Sequence, residues 1–129
     1  MNTGPRLFSI LRQGATLIAS IHTALDDSQL LRFQEDLIAD IGRYRARGVI
    51  IDVAALDVVD SYATRTLRDI AEMARLRGAR LVVVGIQPDV AFVMVQLGMH
   101  TGSLVTALDL EEGLAYLAGG PPASTVPAP

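Results

Sequence analysis

Asp57, Asp60 and Ser61 stand together in the stretch LDVVDSYAT (56–64), where an apolar run gives way to a helix-like segment. A serine or aspartate there can cap the free N–H groups of the helix, a contribution of about 1 kcal/mol. Ser61 can also be a phosphoacceptor, because a helix N-terminus offers unpaired N–H donors and the positive end of a dipole. The modification would bring about −1.5 to −2 charges beside Asp57 and Asp60. A third possibility is a hydrolytic nucleophile, which wants a sharp glycine-flanked elbow and a histidine base. The flanks here are Asp60 and Tyr62, and the only histidines are His22 and His100. A phospho-aspartate site at Asp52 or Asp57 would need a lysine to pair with the phosphoryl group, and the chain has none. A metal site built from Asp52, Asp57 and Asp60 lacks a partnered histidine, so no metal is expected. Spacing alone leaves the cap and the phosphoacceptor both open.

The remaining candidates are weaker. His22 follows an apolar run and His100 lies in a glycine-containing loop, positions that suit ordinary surface or partly buried histidines. Gly85-Ile86-Gln87-Pro88 has too few glycines to cradle a phosphate and reads as a turn that starts a helix, so no cofactor is expected.

Composition narrows the function classes. The 129 residues fit one domain, half of them hydrophobic and 19% charged, a globular balance. Net charge is −3 and no basic run occurs, which argues against nucleic-acid binding. All eleven cationic residues are arginines, and cysteine is absent, which excludes amine chemistry, disulfides and thiolate sites. No stretch approaches ~20 consecutive apolar residues and the N-terminus lacks a signal-peptide pattern, so neither a membrane span nor secretion is expected. A cytoplasmic setting is the expectation.

The elements that must position Ser61 can be read from periodicity. Leu7–Leu11 and Ala15–Ile21 read as strands joined by a tight turn at Gln13-Gly14. Asp26, Asp27 and Ser28 can open a helix whose apolar face is Leu30, Phe33, Leu37, Ile41 and Tyr44, with Gly48 as a left-handed cap. Val49–Val53 reads as a buried parallel strand. The helix beginning near Ser61 has Ala63, Leu67, Ile70 and Ala74 on its inner face and closes at Gly78. Then come a strand at Leu81–Val84, a helix from Pro88 to Leu97, a short strand near Leu104–Thr106, and a helix opened by a capping box at Asp109 and Glu112 and stopped at Gly119-Gly120. The order ββαβαβαβα predicts an α/β fold, a mixed and mostly parallel sheet with helices packed against it. Residues 119–129 are proline-rich and read as a disordered tail. In open sheets of this kind ligands gather at the carboxyl ends of the strands, here Leu56–Thr64, Gly85–Asp89 and Met99–Ser103.

The stretch Val49–Ser61 (VIIDVAALDVVDS) resembles the central signature of STAS domains, the fold of bacterial anti-anti-sigma factors. Leu25-Asp26-Asp27, Phe33–Leu37, Gly85–Pro88 and Thr106–Glu111 are further similar to the RsbS-type stressosome scaffold, so the likeness covers about Leu7 to Leu117. The resemblance implies a STAS domain over residues 1–118 and a non-catalytic scaffold role. It implies co-assembly with RsbR-type STAS sensors, self-association, and sequestration of an RsbT-type serine kinase that is released when the scaffold is phosphorylated. By the same resemblance Ser61 is the phosphoacceptor, and Asp57, Asp60 and Thr64 are its neighbouring binding surface. Tyr62 departs from the expected phenylalanine but keeps an aromatic ring. The first strand begins near Leu7, which leaves no room for the added sensory domain of RsbR-type proteins and favours the RsbS type. The alternatives are another STAS antagonist, a transporter-associated subunit, or a small α/β hydrolase or phosphatase.

Overall fold

The computed structural model describes residues 6–99, 102 and 104–120. The expectations placed on His100, Ser103 and most of the 119–129 tail lie outside them. The elements are β1 (Phe8–Gln13), β2 (Thr16–Ile21), α1 (Asp27–Tyr44), β3 (Gly48–Asp52), α2 (Ser61–Leu76), β4 (Arg80–Val84), α3 (Pro88–Gln96), β5 (Val105–Ala107) and α4 (Leu110–Leu117). One sheet carries the strands in order β1-β2-β3-β4-β5; β1 runs antiparallel to β2 and all other pairs are parallel. The mixed, mostly parallel α/β sheet and its element order are those expected.

Alternation along the strands divides the core into two faces. Leu17, Ala19, Val49, Ile51, Leu81 and Val83 join the larger core, to which α1 brings Phe33, Leu37 and Ile41, α2 brings Leu67, Ile70 and Ala74, and α3 brings Val90 and Met94. Ile50, Val82, Val84 and Ala107 point the other way, where Leu114 and Leu117 of α4 cover them. Gly113 makes that contact possible: a Cβ there would stand 2.8 Å from Val84 Cγ1.

Local rules predicted some details wrongly. Gly48 is not the cap of α1 but the first residue of β3, buried where a Cβ would meet Leu117 Cδ1 at 2.9 Å. The left-handed cap is Arg45 (φ 50), whose N–H bonds the carbonyls of Ile41 and Gly42. The hairpin turn is Gly14-Ala15, with Gly14 at φ 62, and β1 runs two residues further than the spacing suggested. The box expected at α4 forms by half: Asp109 accepts from Glu112 N, but Glu112 reaches back to the N–H of Leu108. The complete capping box belongs to α1, between Asp26 and Gln29.

Candidate functional site

The carboxyl edge of β3 and β4 is shaped by a tight set of backbone contacts. Asp52 Oδ1 accepts from Ala54 N (2.9 Å), bending the chain out of β3. Gln87, at the start of α3, donates its side-chain amide to the Ala54 carbonyl (2.7 Å), tying this loop to the next one. Between them Gly85 adopts φ +83, and a Cβ on it would meet Ala54 Cβ at 2.9 Å and Asp52 Oδ1 at 3.1 Å. The 54–60 loop is thus held against the β4–α3 turn.

The loop ends at α2. Asp60 is the N-cap: its carboxylate accepts from Ala63 N at 2.7 Å. Ser61 is the first helical residue, exposed, and its hydroxyl has no hydrogen bond among the described residues. At 100° per residue it lies on the opposite side of α2 from Leu67, Ile70 and Ala74, and the exposed Arg65 follows one turn later on the same side. The cap therefore belongs to Asp60, and Ser61 is left free at a helix start.

Asp57 and Asp60 are both exposed and share one wall of a groove of about 190 Å³. Val58 and Val59 complete that wall; Val90, Val93, Leu97 and Met99 form the other. Thr64 does not belong to this surface. It is only 2% exposed; its hydroxyl donates to the Asp60 carbonyl (3.0 Å), with the Met99 sulfur 3.8 Å away as a second acceptor. It is a buried peg joining the α2 start to the segment after α3, because the inner stripe of α2 widens to take in position 64 as well as Leu67 and Ile70.

The groove continues into exposed apolar surface that the sequence reading did not mark. Val58 is 63% exposed, Phe92 65%, Val95 79% and Leu97 68%. The signal was present: α3 is apolar on every side (PDVAFVMVQ), yet only Val90 and Met94 are buried, so the helix carries more apolar side chains than its one buried stripe can use.

Among the described residues no histidine hydrogen-bonds the Ser61 hydroxyl. His22 is exposed at the end of β2, where Nε2 lies 3.1 Å from Ser9 Oγ across the hairpin. Among the described residues no group of three His, Cys, Asp or Glu could hold a metal ion. Among them, too, no helix is long and apolar enough to cross a membrane.

Comparison with known proteins agrees with this architecture. Residues 8–112 match the model of the STAS domain. The chain is 29% identical over 90 residues to the RsbT co-antagonist protein RsbRA of Bacillus subtilis (strain 168), covering 70% of this chain and 33% of that protein. It thus spans about a third of the length of that relative. A serine-to-glutamate variant of RsbS from Moorella thermoacetica superposes with a TM-score of 0.73 at 35% identity, covering 86% of this chain and 94% of that one. A chain from a structure of the stressosome, described as a signal integration and transduction hub, superposes with a TM-score of 0.67 at 32% identity, covering 85% and 96%.

Proposed function

This chain belongs to the STAS-domain family, and from that premise we propose that it is an RsbS-type stressosome scaffold, a cytoplasmic, non-catalytic protein whose partner binding is switched by phosphorylation of Ser61. In this reading it assembles with RsbR-type STAS sensors and holds an RsbT-type serine kinase, which leaves once Ser61 is phosphorylated. The 35% identity to the Moorella RsbS over nearly all of that chain supports the RsbS type.

The observation that carries the switch is the placement of an uncapped, exposed serine next to an apolar groove with an acidic rim. Val58, Val93 and Leu97 can bury apolar partner atoms, each side chain worth about 1.5–3 kcal/mol when fully covered. Asp57 and Asp60 favour a partner that is basic at the rim. A phosphate on Ser61 then changes the charge of the rim without entering the core, because Asp60 already caps α2 and the serine hydroxyl has no native bond to lose.

Among the described residues no base is hydrogen-bonded to the Ser61 hydroxyl, which favours binding over the hydrolase reading. The test is to mix the purified chain with an RsbT-type kinase and ATP and map the product. Phosphate on Ser61, with loss of kinase from the complex, supports the proposal; phosphate on Thr64 or Ser103, or robust small-substrate turnover abolished by Ser61→Ala, refutes it.

A further inference from the structure

The charges of this chain are sorted by edge. The segments that leave the carboxyl ends of the strands (22–28, 52–61, 85–89 and 107–112) hold nine of the fourteen carboxylates and no arginine. The segments at the opposite edge (12–15, 43–48 and 75–80) hold seven of the eleven arginines and no carboxylate. The remaining charges are mixed, along α1 and α2 and just before β1. Helix dipoles explain part of this, since Asp26, Asp60 and Asp109 cap N-termini and Arg43 and Arg75 lie in last turns. They do not explain Arg12 on β1, Arg47 before β3 or Arg80 at the start of β4, nor Asp52 and Asp57 ahead of α2.

The arginine edge also has shape. Arg45, Arg47 and Arg77 surround a recess of about 330 Å³ between the ends of α1 and α2. Gly42 keeps it open, because a Cβ there would lie 2.8 Å from the Arg77 guanidinium. These three arginines are exposed, and among the described residues none has a carboxylate partner, the ion pair there being Glu72–Arg75. The recess suits a carboxylate, which a guanidinium can receive in a bidentate fork.

We propose that the arginine edge of one copy receives the acidic edge of a second copy, so that the domain associates head to tail. This goes beyond the kinase switch and stands without it, although the acidic edge includes the Asp57 and Asp60 rim of the groove. The two surfaces differ and lie on opposite edges, separated by strands about 16 Å long, so the contact is heterologous and each copy keeps one free pole for the next. A second copy is favoured over a nucleic acid because an approaching polyanion meets a chain of net charge −3 with a dense acidic pole, whereas another copy can present that pole directly to the recess.

The test is sedimentation velocity on the full chain at two ionic strengths. The wild type should form concentration-dependent oligomers whose affinity falls about tenfold or more between ~50 and ~300 mM salt, as charges beyond a Debye length are screened. Arg45→Asn/Arg47→Ser/Arg77→Ser removes the three arginines of the recess, and Asp57→Asn/Asp89→Asn/Glu111→Gln removes three of the nine charges of the acidic edge. Each variant alone should associate at least about tenfold more weakly than wild type, and an equimolar mixture should recover a one-to-one complex, since each keeps intact the pole that is weakened in the other. All six positions are exposed; if a triple variant melts early, the single change Arg47→Ser should still weaken association severalfold. Wild-type monomers at low salt, salt-independent oligomers, a basic-pole variant that associates like wild type, or a mixture that associates no better than either variant alone would each overturn the proposal. So would binding of heparin or anionic vesicles at the arginine edge with no contact between copies.

Discussion

Phosphorylation of Ser61 should alter partner binding far more than it alters the fold, and the structure sets the scale of both. On the unfavourable side the modified residue carries about −1.5 to −2 charges, next to Asp60 in sequence and near the rim that holds Asp57. For unit charges about a helical turn apart, an effective dielectric of about 20–60 gives on the order of 1–3 kcal/mol, reduced further by salt at an exposed site. On the favourable side, a negative group in the first turn gains about 0.3–1 kcal/mol from the helix dipole. Arg65, one turn along and exposed, adds about 0.2–0.5 kcal/mol as an i,i+4 partner. No buried contact is lost. With salt screening the net effect on the fold is therefore on the order of 1–2 kcal/mol, a fall in Tm of roughly 3–10 °C for a chain of this size. At the groove the same charge meets a partner fitted to the unmodified rim, where a loss of ~2–4 kcal/mol lowers affinity about 30- to 1000-fold.

The assay pairs differential scanning calorimetry with titration of an RsbT-type kinase, using wild type, Ser61→Ala, Ser61→Asp and a form carrying phosphoserine introduced during synthesis. Ser61→Ala should keep the kinase bound, Ser61→Asp should release it in part because one charge replaces nearly two, and the phosphoserine form should release it most. A phosphoserine form that melts more than ~15 °C below wild type would place the effect in the fold and refute the reasoning. So would unchanged kinase affinity in a form that melts normally.

Gly85→Ala should destabilise the domain by about 2–4 kcal/mol in chemical denaturation, combining strain at φ +83 with the approach to Ala54 and Asp52. Thr64→Val should cost about 1–2 kcal/mol, because the buried hydroxyl and its bond to the Asp60 carbonyl are lost while the shape is kept. Leu97→Ser and Val58→Ser, at exposed groove positions, should leave Tm within a few degrees of wild type yet weaken kinase binding at least about tenfold. The Asp26 carboxyl is held below its ordinary value by the N–H of Gln29 and the Ser28 hydroxyl. Its capping contribution is thus fully present above the unfolded pKa and disappears as pH falls through the lower folded one. Stability of Asp26→Asn should accordingly vary less with pH than that of wild type between about pH 4.5 and pH 2.

Much of the architecture was legible because two periodicities do not overlap. The face Leu30, Phe33, Leu37 and Ile41 is buried throughout, and the short apolar runs at 49–53 and 81–84 could be central strands because nothing in them calls for a solvent face. The failures share a cause. Gly48 satisfies a local rule for ending helices, but the packing of Leu117 decides its role, and that contact joins residues far apart in sequence. Arg45 shows no sign in its side chain of adopting a left-handed cap that costs roughly 1–2 kcal/mol outside glycine. At the site, the run before Ser61 could be placed on a sheet edge, but the opposite wall could not. Val93 and Leu97 look like core residues until the sheet is assembled and found to have no room for them.

The same surplus on α3 bears on the proposed switch at Ser61. A serine at a helix start influences binding only if a partner must lie across it. The groove supplies that condition, since its floor is apolar and its rim carries Asp57 and Asp60 just ahead of Ser61. The buried Thr64 holds the other requirement, a fixed distance between the two walls, because its hydroxyl bonds the Asp60 carbonyl on one side and rests against Met99 on the other. Loosening that peg should therefore blur the response to phosphate before it unfolds the domain. In Thr64→Val the ratio of kinase affinities between the unmodified and phosphoserine forms should shrink, while each form remains folded at room temperature. A ratio equal to that of wild type would mean that the walls are fixed by the Gln87–Ala54 tie alone, and that Thr64 serves only stability.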